Sequence, residues 1–160
     1  MAKYKNSKKD SFLSSIPITS LDDISNDLTN RCKFNFSYFT IDEAGQDFRD
    51  WSQNELSKLF DKLKEYSKFS LSYWEHQKVG RFPVFVKYES FPINTDFKLP
   101  KHIPHQAIWS RFHIENKVRL IGFVIPDEYD DKIHQGTSKR YDSDIFYVVF
   151  LDKDHKFYKI

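Results

Sequence analysis

Apolar and polar positions first alternate regularly at Phe34, Phe36 and Tyr38, which interleave with Lys33, Asn35 and Ser37. That period of two predicts a half-buried aromatic strand, and Gly45 closes the stretch behind it. The period then changes. Leu56, Leu59, Phe60, Leu63 and Tyr66 recur at three- and four-residue intervals, so a helix turns one apolar stripe inward and Lys58, Lys62 and Lys64 outward. Its start is written in Ser52-Gln53-Asn54-Glu55, a capping box in which the serine hydroxyl accepts from the Glu55 amide and the carboxylate reaches back. Ser70 to Glu75 predicts a second, shorter helical segment packed back on the first, and Phe82 to Val86 reads as extended. Pro92, Pro100 and Pro104 mark a long connection with little regular structure.

Beyond the prolines, Ile108 to Ile114 and Val118 to Val124 flank the turn Glu115-Asn116-Lys117 and predict a hairpin. A polar loop from Pro126 to Asp144 separates it from Ile145 to Leu151, a run so apolar that a central strand covered on both faces is expected. Asp152-Lys153-Asp154 then turns the chain into Lys156-Phe157-Tyr158. Upstream, Ser20-Leu21-Asp22-Asp23 after Pro17 predicts one short helix within Ile16 to Leu28. The order predicts an α+β fold, with an N-terminal strand and one or two helices packed on an antiparallel C-terminal meander. Helices are expected on one face of the sheet, and the other face is expected to be open. No internal repeat is present.

Composition narrows the class. At 160 residues the chain is one domain's worth, and 16 Phe, 9 Tyr and 3 Trp against 4 Gly exclude collagen-like, linker-like and wholly disordered classes. Residues 1–15 carry Lys3, Lys5, Lys8 and Lys9 among Ser and Asn and read as a flexible basic arm before a single domain at 16–160. With 25 basic and 23 acidic residues the net charge is only +2, so a nucleic-acid partner has to be held by a local patch. The single cysteine, Cys32, excludes an internal disulfide and fits a reducing compartment, as a small buried hydrophobe. The lysine-rich start has no apolar core behind it, and no run approaches the roughly 20 apolar residues of a membrane span. A cytoplasmic protein without membrane contact is expected.

The familiar catalytic signatures are absent: no phosphate-binding glycine loop, no dinucleotide fingerprint, no His-Glu-x-x-His and no nucleophile elbow. His102 and His105 flank Pro104 and lack a carboxylate pair, so they read as loop histidines and no metal is expected. What remains is a set in the meander. Arg111, His113, Lys117 and Arg119 lie on the hairpin, and His155, Lys156 and Tyr158 follow the last core strand. Whether Arg111 and Arg119 face the same way depends on how the hairpin turns.

Ile108-Trp109-Ser110-Arg111 followed by Arg119-Leu120-Ile121 resembles the Trp-Ser-Arg … Arg-Leu-Val hairpin of RelE/ParE-type toxins, the YoeB branch especially. His155 and Tyr158 are similar to that branch's C-terminal histidine and tyrosine. The resemblance runs from Lys33 to the C-terminus, and its specific motifs occupy barely twenty residues. It implies ribosome-dependent cleavage of messenger RNA by attack of a 2′-hydroxyl on the adjacent phosphate, without a cofactor. In that scheme Arg119 clamps the phosphate, His155 donates the proton to the leaving oxygen and Tyr158 positions a nucleotide. Arg111, His113, Lys117 and Lys156 contact RNA. The partners implied are mRNA and the ribosome, with a cognate antitoxin, in a toxin–antitoxin pair or mobile element. Four departures stand against it: a longer chain, a slightly longer hairpin, a balanced charge, and Phe97-Lys98-Leu99-Pro100-Lys101 where the branch has its acidic general base. Asp96, Glu115 and His102 are the groups left to substitute. The alternative keeps the fold without the reaction: a phage- or plasmid-encoded binding protein that blocks a host protein or nucleic acid.

Overall fold

A computed structural model describes residues 6–159 and shows an α+β fold. In chain order the elements are α1 (Ser7–Ser15), β1 (Lys33–Asn35), α2 (Gln53–Tyr66), α3 (Leu71–Glu75), β2 (Lys78–Val79) and β3 (Phe82–Pro83). There follow β4 (Phe85–Lys87), β5 (Ile108–Glu115), β6 (Val118–Val124), β7 (Ile133–His134), β8 (Lys139–Arg140) and β9 (Ile145–Asp152). Five strands form the main sheet in the order β1-β9-β6-β5-β4. Only β1 pairs in parallel, with β9; the other neighbours are antiparallel. β2 with β3, and β7 with β8, make separate two-stranded ribbons.

The expected capping box is present, with Ser52 Oγ accepting from Glu55 N and Glu55 Oε2 accepting from Ser52 N. Such a cap contributes about 1 kcal/mol to a helix that otherwise depends on its apolar stripe. Leu59, Leu63 and Tyr66 of that stripe meet Phe85, Phe112, Leu120, Phe146 and Val148 on one face of the sheet. Trp74 of α3 joins this layer, and Cys32 is buried in it, its thiol pushed up to about 12 by burial.

The second face is not open. Trp109, Ile121, Phe123, Val149 and Phe150 point there, and the irregular stretch between β4 and β5 covers them with Phe91 and Phe97, joined by Phe157. The physical reason lies in the covering side chains: a proline-punctuated connection carrying large aromatic rings stabilises itself by burying them, at roughly 25 cal/mol per Å² of apolar surface removed from water. The strand β9 is accordingly covered on both faces, as its continuous apolar run predicts, but it lies second in the sheet and β6 is central.

Two other expectations change. The aromatic strand is only Lys33–Asn35, after which Phe36 and Tyr38 leave the sheet in turns. No helix forms across 16–27, because Ser20, Asp23 and Asn26 side chains accept from backbone amides two residues on and hold the chain in successive turns. The basic arm read over 1–15 falls partly outside the described residues; within it, Ser7–Ser15 is helical, capped by Asn6, with no buried residue. Among the described residues no helix is long and apolar enough to cross a membrane.

Candidate functional site

The β5–β6 register decides which side chains meet. Directly opposed residues of an antiparallel pair share a face, as do residues two apart on one strand. His113 opposes Arg119, Arg111 opposes Ile121, and Arg119 opposes Asp152 on β9. Arg111, His113, Arg119 and Asp152 therefore project together from the second face, at the end of the sheet beyond its aromatic layer. The two arginines, whose relative phase the sequence left open, face the same way.

Arg119 is 4% exposed. Its Nη1 donates to the carbonyls of Asn116, at 2.7 Å, and of Val118, at 2.9 Å, while Nε has no partner. Asn116 supplies its carbonyl from a left-handed turn conformation with φ of 41°. Burial first, and the Arg111 guanidinium next, pull Arg119 down to about 10, so it stays charged at neutral pH. Arg111 is half-buried; its Nε donates to the Tyr88 hydroxyl at 3.1 Å and its Nη1 to the Pro83 carbonyl at 3.4 Å. All four acceptors on these two cations are neutral oxygens.

The carboxylate opposite Arg119 on β9 is committed elsewhere. Asp152, 1% exposed, accepts from the amides of Lys156 and Phe157, each at 2.9 Å. Those two bonds close the turn that follows β9 and hold His155 in a left-handed conformation with φ of 60°. His155 is half-buried, and burial, then Arg119, lowers its pKa below the ordinary histidine value. At neutral pH it is an uncharged imidazole, suited to accept a proton rather than donate one. Tyr158 is exposed and stacks on Tyr88 with ring centroids 5.3 Å apart. Lys156 is half-buried, its Nζ 3.5 Å from Asp154, and Lys117 is exposed at the tip of the hairpin turn.

His113 sits deeper. It is 5% exposed, lies parallel to the Phe82 ring at 5.7 Å, and its Nδ1 has no partner. Burial, followed by Arg119, Arg111 and Lys62, holds it down at about 4, so it brings no positive charge to a phosphate at neutral pH. The unfolded chain, with a histidine pKa of about 6.5, takes up this proton before the native state does. The associated stability is whole above about pH 6.5 and is lost as pH falls toward 4, by roughly 2–3 kcal/mol. Urea denaturation at pH 7 and pH 4.5 should show this loss, and His113→Gln should flatten it. An equal acid loss in that variant would assign the effect to other groups.

Each of the three groups left to substitute for the missing carboxylate has a partner of its own. Glu115 pairs with Lys58 at 3.2 Å and Asp96 pairs with Lys159. His102 stacks on Tyr38, which lies against Phe123 near the far end of β6. Sequence reasoning missed two members, Tyr88 and Asp152. The signal for Asp152 was its parity: it lies two residues past Phe150, on the same face, at the end of a buried strand. Tyr88 lay in a connection with no periodicity to place it. Among the described residues no group of three or more His, Cys, Asp or Glu side chains is placed to hold a metal ion. No family model, curated protein or solved structure matches this chain.

Proposed function

We propose that this end of the sheet binds the sugar–phosphate backbone of RNA and cleaves it, as in a RelE-like, ribosome-dependent mRNA endoribonuclease. The observation that carries the reading is the convergence of Arg111 and Arg119 on one face, bonded only to neutral oxygens, with the uncharged His155 in the turn that directly follows β9. Cations without a carboxylate partner, set in partly desolvated surroundings, favour an anionic guest. In this scheme the neutral His155 takes the proton of the 2′-hydroxyl, O2′ bonds to phosphorus, and the bond from phosphorus to O5′ breaks. The leaving oxygen takes a proton from water, giving a 2′,3′-cyclic phosphate and a 5′-hydroxyl. The arginines offset the charge of the pentacoordinate phosphate, and the exposed Tyr158 ring offers a stacking surface. This assigns His155 the part of base, where the resemblance assigned it the part of acid.

Mapping of RNA ends after incubation with translating ribosomes tests the proposal. Cleavage should fall about a hundredfold or more in His155→Ala, and Arg119→Ala should lose it as well. The rate in the parent should rise from acid pH to a plateau, with its inflection below the ordinary histidine value of about 6.5; a rate that instead falls above that value would give His155 back the role of acid. Transcripts unchanged by the parent protein would sink the reading.

The alternative, a non-catalytic protein that blocks a host target, is favoured by a different observation. Phe12, Leu13, Ile18, Leu21, Ile24 and Leu28 are all exposed ahead of β1, Ile18 and Ile24 fully so. A stoichiometric complex recovered with unprocessed RNA distinguishes it.

A further inference from the structure

Beside Arg119 the surface opens into a groove of about 620 Å³ between the C-terminal half of α2, the β2–β3 ribbon and the β5–β6 turn. Val79 and Phe82 form one wall, His113 lines the groove, and Lys62, Arg81 and Asn116 stand at its edges. It is continuous with the site above through Asn116, whose backbone carbonyl receives the Arg119 guanidinium.

Three features mark it as built to hold something. The His113 imidazole is 5% exposed and lines the groove with Nδ1 unpartnered, and a buried polar nitrogen is seldom left so. Phe82, 43% exposed, keeps its ring parallel to that imidazole, within 5°. The Arg81 guanidinium lies over the Phe82 ring, 5.2 Å from its centroid. An aromatic surface bordered by cations, with one hydrogen-bonding group unsatisfied, matches the needs of an unpaired base: a π-face to stack, an edge to bond and a phosphate close by.

We infer that the groove is a nucleobase subsite, in which an unpaired RNA base stacks on Phe82 in place of the exposed Arg81 guanidinium and bonds its edge to the His113 ring, while Arg111 holds the attached phosphate. The inference rests on the RNA reading above and names where the substrate's base lies. An acidic peptide fits less well, because Glu115 lies on the same groove and the imidazole in it is uncharged.

The test is amide NMR titration of the full chain with the four nucleoside 3′-monophosphates and with ribose 5-phosphate as the base-free control. Nucleotides should shift the amides of Val79, Phe82 and Asn116 and bind about tenfold more tightly than ribose 5-phosphate. Phe82→Ala, at an exposed position in a two-residue strand, should remove that advantage and leave ribose 5-phosphate binding unchanged. Arg111→Ala should weaken nucleotides and ribose phosphate alike. Equal binding of nucleotides and ribose phosphate, unaffected by Phe82→Ala but weakened by Arg111→Ala, overturns the base subsite and leaves the phosphate site standing. Groove shifts that depend on Phe82 but not on Arg111 support the subsite and overturn the phosphate assignment. No shift with any nucleotide, and protection of the groove amides in a complex with a host protein, would replace the base by that protein's side chain.

Discussion

Replacing Gly122 with alanine is expected to cost at least about 3 kcal/mol, a large share of the roughly 8–15 kcal/mol that stabilises a chain of this size. A β-carbon at this position would lie 2.2 Å from the Tyr147 carbonyl oxygen and 2.7 Å from Cζ of Phe146. The cause is a bulge. Ile121 opposes Phe150 but Gly122 opposes Val148, so Val149 is an extra residue that brings the β9 backbone across Gly122. Neither neighbour yields easily, since one is main chain in a buried strand and the other a fully buried ring. Urea denaturation should show a lower midpoint with an unchanged slope. Gly80→Ala is the control: that glycine has φ of 61° and nothing within 4 Å, so only the left-handed backbone penalises alanine, by roughly 1–2 kcal/mol. A loss below 1 kcal/mol at Gly122 would mean that β6 and β9 are not paired in this register.

That bulge also shows where the sequence stops speaking. The helix α2 was legible because its signals are local: a Ser-Gln-Asn-Glu box and a three-four repeat that any window of fourteen residues contains. The β5–β6 hairpin was legible for the same reason, as two apolar runs about a short polar turn. The parallel pairing of β1 with β9 joins Lys33 to Ile145, more than a hundred residues apart, and no local pattern encodes such a partner. The covering of the second face was hidden because Phe91 and Phe97 lie among prolines, where no period assigns a side chain to a surface. At the site, residue types were readable and directions were not. Whether Arg111 and Arg119 share a face turned on the two-residue turn at Asn116 and Lys117, a matter of register rather than composition. The protonation of His113 and His155 was equally out of reach, since burial beside two guanidiniums sets it.

The residue that ties fold to site is Asp152, and Asp152→Ala is expected to cost about 3–5 kcal/mol. Its carboxylate accepts both amides of the turn after β9, and removing it leaves those two N–H groups without an acceptor in a region where Asp152 itself is 1% exposed. Asparagine is no remedy, because its NH₂ would face a second N–H donor in place of an acceptor; Asp152→Asn should still lose about 2 kcal/mol. The two variants share a further consequence that a purely structural part would not produce. Asp152 is the negative charge that raises the His155 pKa against burial and the arginines. With that charge removed, the His155 ring should titrate at lower pH than in the parent, as followed by imidazole NMR in whichever variant stays folded. The base would then remain uncharged further into the acid range while the turn that aims it loosens, so the acid limb of the cleavage profile should move down in pH as its plateau falls. A His155 titration unmoved in Asp152→Asn would separate the carboxylate from the imidazole and leave Asp152 as a turn-closing residue alone.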